Sequence, residues 1–365
     1  MLSLAAGEPD FATPGHIRRA AVAAMEAGYT GYAPSAGVPV LREAIRRSCE
    51  EQLGLNYSDE QVVVSCGAKQ CLYNACMALL QPGDQAIIQA PYWVSYPEQI
   101  RLCGAEPVVL APPESGSGLD LDAMERALTE KSRVMLVNSP CNPTGHVLEA
   151  SDLQAIARLA LDHDLVVISD DIYDKLLYDG RRFESIVRLV PEMAERTIIV
   201  NGVSKSYSMT GWRLGWALGP REVIGSMRKI QDQSTSNATT FVQHAAVAAL
   251  ESPDEVVEEM VKSFDDRRQR LVELLEEIPG IECKKPAGTF YAWADCSGLT
   301  GRKLDGEIIG STLKLAELLL DKKRVAVVPG EAFGCAGFLR ISFAAAEDVI
   351  EQAASRIGAF VKNLA

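Results

Sequence analysis

From about Glu60 to Leu218, short apolar runs alternate with longer segments of helical periodicity. Most of the runs are apolar throughout and rich in β-branched residues, which is typical of strands covered on both faces. The runs are Gln61–Cys66, Gln85–Ala90, Glu106–Leu110, Arg133–Asn138, Leu165–Asp170, Thr197–Asn201 and Leu214–Leu218. Helical patterns such as Cys71–Leu80 and Asp152–Asp162 separate several of them. Buried strands joined by helical crossovers predict an α/β fold with a mainly parallel, seven-stranded sheet.

A second region of mixed helix and strand follows. Ser252-Pro253-Asp254-Glu255 is a typical helix start, apolar residues recur at helical spacing as far as Leu275, and Pro279-Gly280 ends the helix. A further helical pattern lies at Ser311–Asp321. The remaining apolar runs are Ile281–Cys283, Thr289–Ala294, Val325–Val328 and Phe338–Phe343. These patterns predict a smaller α+β domain.

The length of 365 residues suits two joined domains. We expect residues 35–265 to form the large domain and residues 1–34 and 266–365 to form the small one. The first 34 residues contain a loop rich in Gly and Pro and one helical pattern, too little for a core of their own. They must therefore pack against other parts of the chain.

Charge and cysteine content exclude several classes of protein. The formal net charge of −13 argues against nucleic acid as a partner, and no apolar run is long enough for a membrane span. Nine cysteines without a C-x-x-C pair, and only four histidines, give no indication of a metal site. Scattered cysteines in apolar stretches are typical of reduced thiols. We therefore expect a cytoplasmic protein, or one from the reducing interior of an organelle such as a plastid.

Polar, aromatic and turn residues follow five of the predicted strands. In an open parallel sheet, ligands bind beyond the carboxyl ends of the strands, so these segments should meet in one cleft. The segments are Gly67-Ala68-Lys69, Pro91-Tyr92-Trp93, Asn138 to Gly145, Asp170-Asp171-Ile172-Tyr173 and Gly202-Val203-Ser204-Lys205. Their common position predicts a functional site.

The residue types in that cleft suggest its chemistry. A glycine between a strand and a helix, such as Gly67, exposes backbone N–H groups that favour an anion such as phosphate. Arg213 offers a planar fork for phosphate or carboxylate, and Lys205 could act as a nucleophile on carbonyls. A carboxylate at the end of a buried strand, such as Asp170, can hold a heterocyclic nitrogen protonated. The set fits a pyridoxal-phosphate site better than a nucleotide site, because the glycine fingerprints of nucleotide-binding loops are absent from the sequence.

Longer motifs extend this interpretation. Ser204-Lys205-x-x-x-Met209-Thr210-Gly211-Trp212-Arg213, Asn142-Pro143-Thr144-Gly145 and Asp170-x-x-Tyr173 resemble the signature segments of class I/II aminotransferases of fold type I. The likeness is closest to the subgroup of prokaryote-type aspartate aminotransferases and aspartate/prephenate aminotransferases, and it runs from Ala5 to about Ala345. The resemblance implies a pyridoxal-phosphate enzyme with a large domain, built on a mainly parallel sheet, and a smaller α+β domain.

The resemblance also implies a role for each matching residue. Lys205 would form the Schiff base with pyridoxal 5'-phosphate and move the substrate proton, while Asp170 would pair with the pyridinium nitrogen. Tyr173 and Asn142 would hydrogen-bond the ring hydroxylate, and Trp93 would stack on the ring. The phosphate would be held by Gly67, Ala68, Lys69, Ser204 and Arg213 of one subunit and by Tyr32 of its partner. The substrate would be bound by Gly7, Trp93, Asn142 and Arg340, with Lys69 at its second carboxylate.

From this likeness we expect transamination between aspartate or glutamate and a 2-oxo acid, with 2-oxoglutarate, oxaloacetate and prephenate as candidate acceptors. An aminotransferase for aromatic or neutral amino acids, or a lyase or decarboxylase of the same fold, shares Lys205 and Asp170 and is the alternative. Residues Gln231–Thr240 contain no arginine, although another subgroup places its side-chain carboxylate partner there. Lys69 is then the expected cation for an acidic substrate.

Three further expectations follow from the resemblance. The protein should be a homodimer with shared active sites. Its N-terminal arm should be trimmed, because members of the subgroup usually begin further upstream with a segment that packs across the dimer. The peptide bond between Asn142 and Pro143 should be cis.

Overall fold

The computed structural model describes residues 1–113, 116 and 118–365. Its helices are α1 (Gly15–Glu26), α2 (Pro39–Leu53), α3 (Ala68–Leu79), α4 (Ser95–Leu102), α5 (Leu121–Ala127), α6 (Ala150–Asp162), α7 (Ile186–Leu189), α8 (Arg221–Asp232), α9 (Thr240–Leu250), α10 (Glu255–Glu276), α11 (Thr312–Lys323) and α12 (Glu347–Val361). The strands are β1 (Leu2–Ser3), β2 (Val62–Ser65), β3 (Gln85–Gln89), β4 (Glu106–Leu110), β5 (Ser132–Asn138), β6 (Val166–Asp170), β7 (Thr197–Gly202), β8 (Gly215–Leu218), β9 (Glu282–Cys283), β10 (Tyr291–Asp295), β11 (Lys303–Leu304), β12 (Glu307–Ile308), β13 (Val325–Ala326), β14 (Val328–Pro329) and β15 (Phe338–Ser342). No helix within the described residues is long and apolar enough to cross a membrane.

The seven strands predicted between Gln61 and Leu218 form one sheet, in the order β2-β8-β7-β6-β5-β3-β4. The pairs among β3, β4, β5, β6 and β7 are parallel, while β8 runs antiparallel to both of its neighbours. The side chains of β2 are buried along its whole length, and those of β6 along nearly all of it. Strands covered on both faces explain the continuous apolar runs. The predicted mainly parallel, seven-stranded sheet is confirmed.

A turn of twelve residues reverses the chain between β7 and β8. Gly202 at the end of β7 lies opposite Gly215 at the start of β8. A Cβ atom on Gly215 would lie 2.3 Å from the backbone nitrogen of Ala68, so the start of α3 can pass close to β8 only because residue 215 is glycine. The turn after β7 and the turn after β2 are thereby brought together.

The second region has its own core. Strands β14, β15, β10 and β9 form an antiparallel sheet in that order, and α10 contacts β10 while α11 contacts β15. One hydrophobic cluster joins side chains of this sheet to α10, α11 and α12. The α+β character of the region is as predicted. The expected strand Val325–Val328 is instead two strands, because Val325–Ala326 pairs with β1 and Val328–Pro329 pairs with β15.

The first 34 residues do not pack as one unit. Strand β1 pairs in parallel with β13, next to the smaller sheet. Helix α1 packs instead on α9, and its buried Ile17 and Ala21 belong to the hydrophobic cluster of the large sheet. The sequence assigned residues 1–34 to the small domain, whereas the apolar face of α1 is covered by the hydrophobic cluster of the large sheet. The boundary near residue 265 stays a prediction.

The described peptide bonds include two cis bonds, Ala90-Pro91 and Ser139-Pro140. The expectation of a cis bond at Asn142-Pro143 is wrong. The chain after β5 turns with a cis bond three residues earlier, and the Asn142 N–H is then held by the side-chain oxygen of Asn138 at 2.8 Å.

Arg268 on α10 is the largest fully buried side chain described. Its guanidinium donates to both carboxylate oxygens of Asp179, at 2.8 and 2.9 Å, and to Asp265 at 2.8 Å. It also donates to the carbonyl of Pro286 at 2.7 Å and lies 4.4 Å from the ring centre of Tyr178. One side chain therefore fixes two loops against α10.

Arg268→Met should lower the free energy of unfolding by about 2 kcal/mol, because it removes the hydrogen bonds that a fully buried guanidinium donates to Asp179 and Asp265, although Asp179 itself is largely exposed. Arg270→Met is the matched control, since Arg270 lies on the same helix but pairs with Glu351 at the surface, where such a pair contributes little. Urea unfolding followed by circular dichroism measures both variants. Equal midpoints for the two variants would contradict the structural role of Arg268.

Candidate active site

A cavity of about 490 Å³ lies between the carboxyl ends of the large sheet and the smaller sheet. That volume is in the range of pockets that bind small molecules. Eleven of the thirteen predicted site residues line it: Gly7, Ala68, Lys69, Trp93, Asn142, Asp170, Tyr173, Ser204, Lys205, Arg213 and Arg340. The two others, Gly67 and Tyr32, are described below.

Lys205 projects into the cavity from the turn between β7 and β8. Its Nζ donates a hydrogen bond to the carbonyl of Gly7 and lies 5.8 Å from the ring centre of Tyr173. Burial and, to a smaller extent, the charge of Arg340 lower the pKa of Lys205 to about 8, although Asp170 opposes the shift. A lysine with this pKa is a neutral amine for an appreciable part of the time near neutral pH, so it can act as a nucleophile.

The backbone of the same turn is strained. Ser208 and Arg213 both have positive φ angles, 52° and 55°. Residues other than glycine adopt such angles at a cost of about 1 kcal/mol or more each. Strain of this kind persists where the surrounding packing holds it, and it concentrates at functional sites. The two strained residues lie on the carboxyl side of Lys205, within eight residues of it.

Asp170 ends strand β6 and is buried at the floor of the cavity. Its Oδ2 accepts a hydrogen bond from the hydroxyl of Tyr96 at 2.7 Å, and its backbone carbonyl accepts one from Asn138 at 2.8 Å. Burial raises the pKa of Asp170 to about 6, although the hydrogen bond from Tyr96 lowers it. A protonated ring nitrogen placed beside this carboxylate would compensate for the burial.

Tyr96 and Asn138 both donate hydrogen bonds to Asp170, although the sequence assigned no role to either residue. Tyr96 lies three residues after Trp93, and their rings meet edge to face with centres 5.5 Å apart. The position of a second aromatic residue at the start of α4, so soon after Trp93, is the signal that could have indicated a partner for Asp170. Asn138 ends β5, the neighbour of β6 in the sheet, and lies opposite Asp170. This pairing could be known only from the order of the strands in the sheet.

An anion cradle is formed where α3 begins. Gly67 precedes the helix with φ 93° and no side-chain cap. The Gln70 N–H donates to the Gly67 carbonyl, but the N–H groups of Ala68 and Lys69 have no partner among the described hydrogen bonds and remain free for a ligand. A Cβ atom on Gly67 would lie 2.7 Å from Nη2 of Arg213, which shows how closely the guanidinium approaches the turn. Arg213 also donates to the carbonyl of Thr210 at 2.7 Å. Free N–H groups and a fixed guanidinium together favour a phosphate.

Arg340 lies on β15, across the cavity from the cradle. Its guanidinium donates to the side-chain oxygen of Asn142 and to the carbonyl of Ala5, each at 2.9 Å. The rings of Tyr291 and Phe333 flank it, with centres 4.3 and 5.0 Å from Cζ. Within the described part of the chain, Nε of Arg340 has no hydrogen-bond partner although it is buried. An oriented guanidinium with a free donor suits a carboxylate ligand.

Trp93 and Lys69 lie on the same side of the cavity. Nζ of Lys69 is 4.7 Å from the ring centre of Trp93, and the Lys69 side chain is largely exposed at the rim. The indole can cover the face of a planar ring. The ammonium group adds a further cation, separate from Arg340, to the lining of the cavity.

Tyr173 follows Asp170 by three residues and is buried. Its hydroxyl lies 3.0 Å from the hydroxyl of Tyr291, another residue for which the sequence assigned no role. Tyr291 lies on β10, more than a hundred residues further along the chain, so no local spacing could reveal the pair.

Tyr32 is far more exposed than the other predicted site residues, at 95% of its surface, and does not line the cavity of its own chain. A side chain in this position is accessible to a second copy of the protein. Among the described residues, no group of three or more His, Cys, Asp or Glu side chains is arranged to hold a metal ion.

Comparisons with known proteins agree with this chemistry. The family described as aminotransferase class I and II matches residues 1–357. Aspartate aminotransferase of Geobacillus stearothermophilus is 41% identical over 366 residues, covering 99% of this chain and 91% of that protein. Aspartate/prephenate aminotransferase of Cereibacter sphaeroides is 43% identical over 367 residues, covering 100% of this chain and 92% of that protein.

A crystal structure of the aspartate aminotransferase from Rhizobium meliloti superimposes with a TM-score of 0.97, at 41% identity, and covers 100% of this chain and 92% of the other. Agreement in sequence and in fold over nearly the full length accompanies the cavity with its lysine, carboxylate, anion cradle and arginine. The chain therefore belongs to the class I and II aminotransferases.

Proposed function

We propose that the protein transfers the amino group of aspartate or glutamate to a 2-oxo acid, with pyridoxal phosphate bound at Lys205. The observation that carries the proposal is the single cavity in which Lys205, Asp170 and Arg340 face one another beside the anion cradle. Relatives named for aspartate and for aspartate and prephenate support the choice of an acidic donor.

The residues fit the cofactor. The cradle at Gly67 and Arg213 suits its phosphate, and Ser204 lines the same cavity. Trp93 can cover the ring, and the buried carboxylate of Asp170 suits a protonated ring nitrogen. When bound, pyridoxal phosphate supplies an aldehyde that joins amino groups and a ring that accepts the electrons of a broken Cα–H bond.

The protein's own groups would then divide the work. Nζ of Lys205 carries the proton between Cα of the substrate and C4′ of the cofactor, a role for which its lowered pKa is suited. Asp170 keeps the ring nitrogen protonated. Tyr173 and Asn142 hydrogen-bond the ring oxygen, and Arg340 binds the α-carboxylate so that Cα lies close to Lys205.

Lys69 is proposed to bind the second carboxylate of the substrate. It lies at the rim of the cavity above Trp93, and its long side chain can reach a substrate whose first carboxylate is held by Arg340. Aromatic or neutral amino acids lack that second charge, so the contribution of Lys69 separates the acidic-substrate proposal from its alternative. Prephenate also carries a second carboxylate, and only a direct assay with prephenate as acceptor separates it from oxaloacetate.

We further propose a homodimer in which Tyr32 of each subunit completes the phosphate site of the other. The exposure of Tyr32 and its absence from its own cavity support this arrangement, as does the prevalence of closed two-fold pairing. A reducing compartment such as the cytoplasm is proposed from the nine cysteines, each of which is a free thiol.

Lys205→Ala should abolish transamination while leaving the fold unchanged, because it removes a nucleophile and proton carrier rather than core packing. Conversion of aspartate and 2-oxoglutarate measures turnover, and circular dichroism measures the fold. Lys175→Ala is a suitable control, since that lysine pairs with Asp254 away from the cavity. Turnover near the wild-type rate in Lys205→Ala would overturn the proposed function.

Lys69→Ala should lower kcat/KM for aspartate about 30-fold, which corresponds to about 2 kcal/mol for one charged partner of a carboxylate. This is the lower end of the usual range, because Lys69 is exposed at the rim. Activity with alanine should change little. Lys69→Met should lower kcat/KM for aspartate as much as Lys69→Ala does. The methionine keeps the packing on Trp93 and removes only the charge, so an equal loss identifies the charge as the cause.

Equal losses on aspartate and alanine would mean that Lys69 supports the phosphate cradle and not the second carboxylate. Recovery of aspartate activity in Lys69→Met would likewise assign the effect to packing.

Tyr32→Phe should weaken the affinity for pyridoxal phosphate about 10-fold, because it removes a hydrogen bond to a charged group. A hybrid of one Tyr32→Phe subunit and one Lys205→Ala subunit should regain wild-type affinity at one site, since that site combines Lys205 of the first subunit with Tyr32 of the second. Differently tagged subunits allow the hybrid to be purified and titrated. A fully active monomer by light scattering, or a hybrid that recovers nothing, would contradict the shared site.

A further inference from the structure

Two buried tyrosine hydroxyls meet in the lining of the cavity. The hydroxyl oxygens of Tyr173 and Tyr291 are 3.0 Å apart, and both residues line the cavity. Tyr173 comes from the end of the large sheet, and Tyr291 from strand β10 of the smaller sheet. The hydroxyl of Tyr291 also lies against Gly7, where a Cβ atom would be only 3.0 Å from it.

When the two hydroxyls are hydrogen-bonded to each other, either of them can be the donor. A phenol carries one proton to donate and also accepts hydrogen bonds. If Tyr173 donates to Tyr291, it presents only lone pairs to the cavity and cannot donate to a ligand. If Tyr291 donates to Tyr173, the proton of Tyr173 remains free for an oxygen atom of a ligand.

The surroundings favour Tyr291 as the donor. The guanidinium of Arg340 lies 4.3 Å from the centre of the Tyr291 ring, and a cation over the ring makes its hydroxyl more acidic. Burial raises the pKa of both hydroxyls, and the charge of Arg340 opposes the rise in both. Among the described ring contacts of Arg340, however, are those with Tyr291 and Phe333 and not one with Tyr173. The more acidic phenol of a pair is the better hydrogen-bond donor.

We propose that Tyr291 is a positioning residue. Its hydroxyl donates a hydrogen bond to the Tyr173 hydroxyl and thereby directs the Tyr173 proton toward the ring oxygen of the cofactor. The proposal rests on the proposed function, because it names the group that Tyr173 binds. Tyr291 acts only through Tyr173 and contacts neither the phosphate cradle nor Asp170 among its described hydrogen bonds.

The test compares Tyr291→Phe with Tyr178→Phe. Tyr291→Phe keeps the ring under Arg340 and removes only the hydroxyl. Tyr178→Phe is the matched control, since its buried hydroxyl donates to the carbonyl of Thr289 and Tyr178 does not line the cavity. Each protein is loaded with pyridoxal phosphate, and its visible absorbance is followed as a function of pH.

In Tyr291→Phe, the pKa of the visible band should rise by about one unit, the equivalent of one lost hydrogen bond. The direction of the pKa shift follows from the charge on the ring oxygen. A hydrogen bond from Tyr173 stabilises the negative charge on this oxygen after the nitrogen that joins Lys205 to the cofactor has lost its proton. A weaker bond favours the protonated form and raises the pKa. Tyr178→Phe should leave the band at the wild-type pKa.

A double-variant comparison tests whether Tyr291 acts through Tyr173. Adding Tyr291→Phe to Tyr173→Phe should cause no further rise in the pKa of the band. Independent, additive rises would overturn the proposal, and so would an unchanged pKa in Tyr291→Phe. A wild-type protein that gives no visible band with pyridoxal phosphate would refute the proposed function itself, which is a different result.

Discussion

The close approach of two turns is the constraint on which the site depends. The chain leaves β2 at Gly67 and begins α3 directly against β8, at a distance that a side chain on Gly215 would prevent. The same contact places Arg213 beside the start of α3, on the turn that also carries Lys205. The start of α3 and the turn that carries Lys205 and Arg213 are therefore fixed relative to each other by backbone packing.

The electrostatics of the cavity differ from those of the chain. The formal net charge is −13, yet four cations line one cavity together with two carboxylates, the buried Asp170 and the exposed Glu8. The cations are Lys205, Arg213, Arg340 and Lys69. Burial disfavours the charged forms of Lys205 and Asp170, and it shifts their pKa values toward each other, to about 8 and about 6. Both groups can then exchange protons with a ligand near neutral pH, which neither could do in water.

Much of this arrangement could be predicted from the sequence, because it is encoded in strands and the residues directly after them. The seven strands, and the lining residues Lys205, Asp170 and Trp93, follow from continuous apolar runs and the rule that ligands bind at strand ends. Tyr291 and Gly215 could not be found in this way. Their importance arises from contacts with Tyr173 and Ala68, which are distant in sequence. The packing of α1 on α9 could not be predicted for a similar reason, because an apolar helix face does not specify which core it covers.

The parallel pairing of β1 with β13 has a consequence for the order of events during synthesis. Leu2 pairs with Val325, the Leu4 carbonyl accepts from the Ser342 backbone, and the Ala5 carbonyl accepts from Arg340. The segment that carries Gly7 to Lys205 is thus anchored by residues more than three hundred positions later. Contacts of such sequence separation form late, since a long loop must close first. A ribosome-bound chain can complete the large sheet early. The side of the cavity that carries Gly7 forms only after residue 342 has emerged from the ribosome.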